Sequence, residues 1–315
     1  TADIYQRTTK DMIGPAEAIP DIGGIAVDQR AKVNNATLRN RGWELSVNWS
    51  DQLKNGFSYG IGFNIFDYKA VVTKYNNPEG LIYNNHTGLV RNKGYYQGMD
   101  LGEIWGYEAN DLFLTNQEVD EYLRGVDMSF FKPNKDWQRG DLKYIDSNGD
   151  GKIDPGSGTL KDHGDLKIIG NTTPRYSFGL NLHAGYKGFE VSALFQGVMK
   201  RDFPMAASTY LFSGDSNFFK EHLDYYNVYN PGAYLTRLTK PDSPEYNANV
   251  GYNTSRYLLN AAYMRLKNLM ISYNFQPKLV KKMGLENLKV YFTCDNLFTI
   301  DNLPDVFDPE TLNQV

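Results

Sequence analysis

The sequence predicts an all-β chain, a segment of a transmembrane antiparallel β-barrel. Three observations carry that reading. Apolar and polar residues alternate with period two, which puts them on opposite faces of a strand. The alternating stretches often reach ten residues or more, whereas soluble strands average about five or six. The connections are asymmetric, short turns on one side and long segments rich in Gly, Asn, Asp and Pro on the other. Outer-membrane barrels show this asymmetry, with short turns in the periplasm and long loops outside.

The strands follow in chain order. A weak first strand is expected near 3–13. Over 43–50, Trp43, Leu45, Val47 and Trp49 alternate with Glu44, Ser46, Asn48 and Ser50. Next, Phe57, Tyr59, Ile61, Phe63 and Ile65 oppose Ser58, Gly60, Gly62 and Asn64. From 175 to 186, Tyr176, Phe178, Leu180 and Leu182 alternate with Arg175, Ser177, Gly179, Asn181 and His183, and Phe189, Val191, Ala193 and Phe195 continue the pattern after a short turn. Leu269, Ile271, Tyr273 and Phe275 form the next apolar face, with Met270 breaking the polar one, and Leu288, Val290 and Phe292 form the last.

Connections 52–56, 187–188 and 277–287 are short or compact; 14–35, 75–171 and 203–256 are long. Parity then fixes a topology. The strand after 52–56 runs outward and the strand before 187–188 runs inward, so zero or an even number of strands span between them. The stretch 95–109 is Gly-interrupted and carries Asp100, Glu103 and Glu108; charges facing lipid are costly, so it belongs to an exterior sub-structure. About seven spanning strands remain. Seven is odd for a closed bacterial barrel. The chain also opens in a strand and stops after Asp308-Pro309-Glu310 with no closing strand, so it reads as a piece of something longer.

Composition agrees and excludes other classes. Of 315 residues, 41% are hydrophobic and 22% charged, with net charge −4, which is neither disordered nor the basic footprint of a nucleic-acid binder. Tyr (23) and Phe (17) are abundant, as suits strands and membrane–water interfaces. No apolar run approaches the 18 residues of a transmembrane helix. The lone Cys294 permits no internal disulfide and no cysteine metal site.

One motif carries ion chemistry. Asp146-Ser147-Asn148-Gly149-Asp150-Gly151-Lys152-Ile153-Asp154 matches the first half of a calcium loop. Asp146, Asn148 and Asp150 supply side-chain oxygens at positions one, three and five, Gly151 makes the turn at six, Lys152 offers its carbonyl at seven, and Asp154 stands at nine. Calcium requires six to eight oxygens, so such residues on a tight turn suit it. Position twelve is Ser157 rather than a bidentate Glu, and Asp162 or Asp165 stands further along. The alternative is an Asx-turn held by its own side-chain-to-backbone bonds.

No catalytic constellation appears. His86, His163, His183 and His222 have no paired spacing, G-x-S-x-G is absent, and no pair of carboxylates is fixed by spacing. Gly156-Ser157-Gly158 precedes no helix and reads as a turn. Trp105, Trp137, Tyr225, Tyr226 and Tyr229 fall in long connections, where packing within a folded loop competes with stacking on sugars. The helix-like stretch at 277–284 carries Lys278, Lys281 and Lys282, either a solvated turn or a site of attraction to anionic headgroups or a partner.

A series of phrases resembles the SusC/RagA family of TonB-linked outer-membrane proteins of Bacteroidetes. They are Arg39-Asn40-Arg41-Gly42-Trp43-Glu44, Gly102-Glu103-Ile104-Trp105-Gly106-Tyr107, Gly140-Asp141-Leu142-Lys143-Tyr144 leading into the Asp146 loop, and Ile169-Gly170-Asn171-Thr172-Thr173-Pro174-Arg175-Tyr176. Lys187-Gly188-Phe189-Glu190, Lys200-Arg201-Asp202-Phe203, Tyr263-Met264-Arg265-Leu266 and Asp295-Asn296-Leu297-Phe298-Thr299 complete it. The resemblance implies a barrel of about 22 strands, of which this chain, 1–315, is the C-terminal portion. The N-terminal plug, the TonB-contacting segment and the closing strand lie outside it, and 75–171 and 203–256 are exterior. It further implies TonB-driven import of a nutrient, an oligosaccharide or glycan before a peptide, with a SusD-like surface lipoprotein as lid. It implies no enzyme chemistry and no organic cofactor; a structural Ca²⁺ in the Asp146 loop is the one ion expected. The rival reading is a secreted or surface calcium-containing glycan-binding β-protein, which predicts closure within these residues.

Overall fold

The computed structural model describes residues 1–14, 32–82, 95–109, 111–132, 136–205, 219–240 and 243–312. Expectations for 15–31, 83–94 (with His86) and 206–218 lie outside the described residues.

In chain order the strands are β1 (Ala2–Gly14), β2 (Val33–Gln52), β3 (Ser58–Lys74), β4 (Glu103–Gly106), β5 (Asp111–Leu112), β6 (Leu142–Lys143) and β7 (Lys167–Asn171). They continue with β8 (Arg175–Tyr186), β9 (Phe189–Lys200), β10 (Asp202–Pro204), β11 (Leu258–Asn260), β12 (Tyr263–Asn274), β13 (Lys289–Asp295) and β14 (Thr299–Asp301). Three short helices, α1 (Asn116–Leu123), α2 (Pro244–Val250) and α3 (Pro277–Lys282), sit in connections. No helix among the described residues is long and apolar enough to cross a membrane.

One antiparallel sheet runs β1-β2-β3-β8-β9-β12-β13, with β14 also paired to β12. These are the seven strands expected from alternation. β3 pairs directly with β8, so none spans between them. The described sheet does not close on itself: β1 and β13 are its free edges.

The register turns each strand's alternation into a continuous face. Trp49 lies opposite Ile61, Ile61 opposite Leu182, Leu182 opposite Ala193, and Ala193 opposite Leu269. The next row holds Val47, Phe63, Leu180, Phe195 and Leu266. Much of this face is open, with Trp49 60% exposed and Val47 52%, while at the β12 end Leu266 is buried and Phe195 meets the Phe298 ring. An apolar face of this extent, left open, needs a non-aqueous neighbour. At the short-turn end it is bordered by rings, with Phe57 against Tyr59 and Tyr186, and Phe189 against Tyr273 at 4.5 Å. Such a row marks a membrane interface.

A bulge keeps the face continuous along β12. Leu266 pairs with Phe195, yet Asn268 pairs with Leu194, leaving Lys267 as the extra residue. The parity shift carries the apolar side from Met264 and Leu266 to Leu269, Ile271 and Tyr273. Without it, one half of the strand would turn its apolar side the wrong way.

β2 and β3 are 20 and 17 residues long, whereas about 9–11 residues cross a bilayer. Their excess rises at the long-connection end, where Arg41 faces Lys69 and Trp43 faces Asp67. β8 lies along the edge of β3 only from Ser177 onward. The chain near 98–101 takes its place, with Gly98 and Leu101 donating to the carbonyls of Val72 and Ala70. At the handover Arg175 grips Asp67 with two 2.5 Å bonds.

The buried core is not in the sheet. Tyr107, Phe113, Met128, Leu142, Tyr144, Ile153 and Leu166 are essentially inaccessible and belong to one cluster, which also includes Val72 of β3. The described residues of the long connections 75–171 and 203–256 thus pack into one body. Tyr144 donates to the carbonyl of Ala248 in α2, and the Leu142 N–H donates to Asn249. Rings dominate: Phe131 stacks on Tyr144 at 4.1 Å, and Tyr107 meets both edge-on.

Candidate functional site

The Asp146 loop leaves the packed body just after Tyr144. Its second half is clamped by a parallel bridge, in which Asp127 donates to the Gly151 carbonyl and Ile153 donates to Asp127. Ile153 is fully buried and anchors the loop. Gly149 and Gly151 have φ of 78° and 81°, conformations that cost a side chain about 1–2 kcal/mol.

Each acidic side chain of the turn has backbone work. Asp146 accepts the N–H of Gly149 at 2.6 Å on one oxygen and of Gly151 at 2.9 Å on the other. Asn148 accepts from the Asp150 N–H at 3.0 Å, Asp150 from Lys152 at 2.8 Å, and Asp154 from Gly156 at 2.7 Å. The Asx-turn network accounts for the loop's shape. A carboxylate oxygen accepting one N–H keeps a second lone pair. Ser157, at position twelve, is turned away: its N–H donates to Asp162. Among the described residues no group of three or more His, Cys, Asp or Glu side chains is gathered to hold a metal ion.

Of the two more distant carboxylates, Asp165 enters the loop. It is 1% exposed and accepts from Ser147 at 2.7 Å and from Asp154 at 3.0 Å. Burial pushes its carboxyl above the ordinary value, and the nearby Asp146 charge acts the same way, against the N–H donors that pull it down. On the outer side Glu108 accepts from Lys167 at 2.7 Å and from the Ser147 hydroxyl at 3.0 Å. Those bonds hold its carboxyl below the usual range. Sequence spacing gave no sign of Glu108, which lies 38 residues before Asp146.

The second functional surface is the polar face of the sheet. Asn48 faces Gly62, which faces Asn181; Ser50 faces Gly60, which faces His183. Glycines alternate with polar side chains because those side chains lie flat across the backbone. A Cβ at Gly60 would overlap the His183 imidazole, and one at Gly62 would crowd Asn48. Glu190 bonds Lys289 at 2.8 Å and receives Ser272 at 3.3 Å on this face. A smooth, hydrogen-bonding wall of this kind suits the interior of a wide barrel.

The loop aromatics divide. Trp105, Trp137 and Tyr226 are buried and serve packing, Tyr225 is half-buried, and Tyr229 is 94% exposed. His163 packs against Trp105, and His222 is buried and accepts the Phe219 N–H. No two of the described histidines share a site.

No family model matches the chain. It is 27% identical over 313 residues to TonB-dependent receptor P3 of Formosa agariphila, covering 98% of this chain and 28% of that protein. It is 27% identical to TonB-dependent receptor P39 of the same organism, covering 100% of this chain and 31% of the relative. Among solved structures it is similar to the RagAB peptide transporter, with TM-score 0.64, 19% identity, and coverage of 99% of this chain and 31% of that one. It is also similar to the RagAB peptide importer in its open-open state, with TM-score 0.66 and 19% identity over 99% of this chain and 30% of the other. The chain therefore spans under a third of the length of these proteins. The neighbours carry the fold and the relatives carry the receptor type. Together they agree with the resemblance: the chain has the fold of part of an outer-membrane β-barrel and is similar along its length to TonB-dependent receptors.

Proposed function

We propose that the receptor to which this segment belongs imports an oligomeric nutrient across the outer membrane, driven through TonB. A SusD-like lipoprotein would cover its exterior end. The carrying observation is the wall itself: seven strands with one open apolar face, one smooth polar face, and a packed exterior body. No catalytic arrangement enters into this role. The segment supplies barrel wall and exterior structure, while TonB contact belongs to the plug region outside it. The reading takes oligosaccharide as the cargo class. Peptide is the second reading, favoured by the solved neighbours, a RagAB peptide transporter and a RagAB peptide importer. The Asp146 loop is proposed as a structural Ca²⁺ site, with Asp146, Asn148, Asp150, the Lys152 carbonyl and Asp154 as donors.

The test is uptake by cells carrying or lacking the receptor gene, supplied with fluorescent oligosaccharide pools or peptide pools. Receptor-dependent, TonB-dependent accumulation of oligosaccharide is expected. Accumulation of peptide alone would replace the cargo class, and accumulation of neither would remove the import reading. Co-purification in mild detergent tests the lipoprotein.

A further inference from the structure

We propose that the short-turn rim of this wall, centred on α3, is an interfacial anchor for anionic phospholipid of the periplasmic leaflet. The inference rests on the outer-membrane placement and is independent of the cargo. α3 is amphipathic in a way a solvated turn does not require. At 100° per residue, Leu279, Val280 and Met283 fall on one arc and Lys278, Lys281 and Lys282 on the other. Val280 is fully buried, yet Leu279 is 52% exposed, Met283 61% and the following Leu285 45%. An apolar stripe flanked by lysines is the pattern of helices lying in the headgroup boundary.

The rim is continuous with the apolar face that meets lipid. β12 delivers the chain to α3 through Tyr273 and Phe275, whose rings touch at 4.9 Å, and Tyr273 packs on Phe189 of the neighbouring hairpin. The other short turns repeat the theme. Leu53 is 46% exposed beside exposed Lys54, and Lys187 lies over the Tyr186 ring at 5.0 Å. Lys54, Lys187, Lys278, Lys281 and Lys282 outnumber the rim acids Asp51 and Glu286, in a chain whose net charge is −4. Glu190, nearby on the polar face, is already paired with Lys289. The charge of the rim is thus opposite to that of the whole chain, and it lies where headgroups lie.

The experiment uses the full-length receptor in nanodiscs, with native cysteines including Cys294 replaced and Leu279→Cys carrying a bimane fluorophore. Brominated phosphatidylglycerol and brominated phosphatidylcholine serve as quenchers. Quenching by both is expected, stronger with phosphatidylglycerol. Lys278→Gln/Lys281→Gln/Lys282→Gln should abolish most of that preference, since each lysine near an anionic surface favours it by roughly fivefold, while Lys→Arg at the same positions should retain it. No quenching by either lipid would overturn the proposal and leave the stripe to water or a protein partner. Equal quenching by both lipids, unchanged in the Gln variant, would overturn the anionic specificity. A site-matched label at Tyr229→Cys, at the far end of the molecule, should show neither effect.

Discussion

Lys132 and Asp141 form an ion pair at 2.8 Å with neither side chain exposed to solvent. Asp141 also binds Arg237 at 2.6 Å and Asn249 at 2.8 Å, so one carboxylate joins the two long connections. The Lys132 ammonium lies 4.6 Å from the Trp137 ring centroid. Removing one partner of a buried pair strands the other, at a cost of about 3–5 kcal/mol. Asp141→Leu should therefore loosen the exterior body and leave the wall intact. Limited proteolysis should cut within 111–257, while the heat-modifiable gel mobility of the barrel is unchanged. Arg237→Ala, at a half-buried position, should cost less.

The two faces of β2 make opposite predictions one residue apart. Val47→Lys places a charge on the lipid face and should destabilise the barrel by about 2–4 kcal/mol. Asn48→Lys, on the polar face, should fall within about 0.5 kcal/mol of the parent. Urea unfolding in liposomes would measure both, and equal effects would contradict the assignment of faces.

His183 lies over Gly60, and that contact is testable by coupling. Gly60→Val should cost about 1–3 kcal/mol by overpacking. In a His183→Ala background the cost should shrink, because the imidazole is no longer in the way. A double-mutant cycle reads the difference, and strict additivity would show that the ring moves aside freely.

Asp165 gives the loop a pH dependence of defined sign. Its carboxyl is raised in the folded chain by burial, so between its unfolded and folded values the folded state holds a proton that the unfolded state has released. Stability from this group is present below the unfolded value and is lost as pH rises through the folded one. Protease protection of 146–165 should thus be lower at neutral than at mildly acidic pH, and Asp165→Asn should flatten that difference. A bound Ca²⁺ would offset the same repulsion, so calcium should restore protection at neutral pH and chelator remove it. Equal protection with and without chelator would end the cation proposal.

Much of the wall was legible in the sequence because strand faces are local. Period two assigns Trp43, Leu45, Val47 and Trp49 to one side whatever follows, and the short turns at 52–56 and 187–188 force antiparallel neighbours. The same locality exposed the Asp146 loop, whose hydrogen bonds run between residues two to five apart. Spacing along the chain also found Asp162 and Asp165, but not which of them enters the loop.

The alternation that began in Trp43 determined, without any structure, that this chain has a lipid-facing and a polar face. The SusC/RagA-like phrases pointed to the TonB-dependent receptors to which the chain is similar. Only the tertiary structure decided that two long connections, which read as loops, are one folded body. Its determining contacts join Asp141 to Arg237 and Asn249, and Tyr144 to Ala248, across 96 to 108 residues. It also decided the bulge at Lys267, which re-phases β12 so that both halves keep their apolar sides outward. Local pattern reports which way a side chain points. Which distant backbone it meets depends on burial and charge pairing that exist only once the chain has folded.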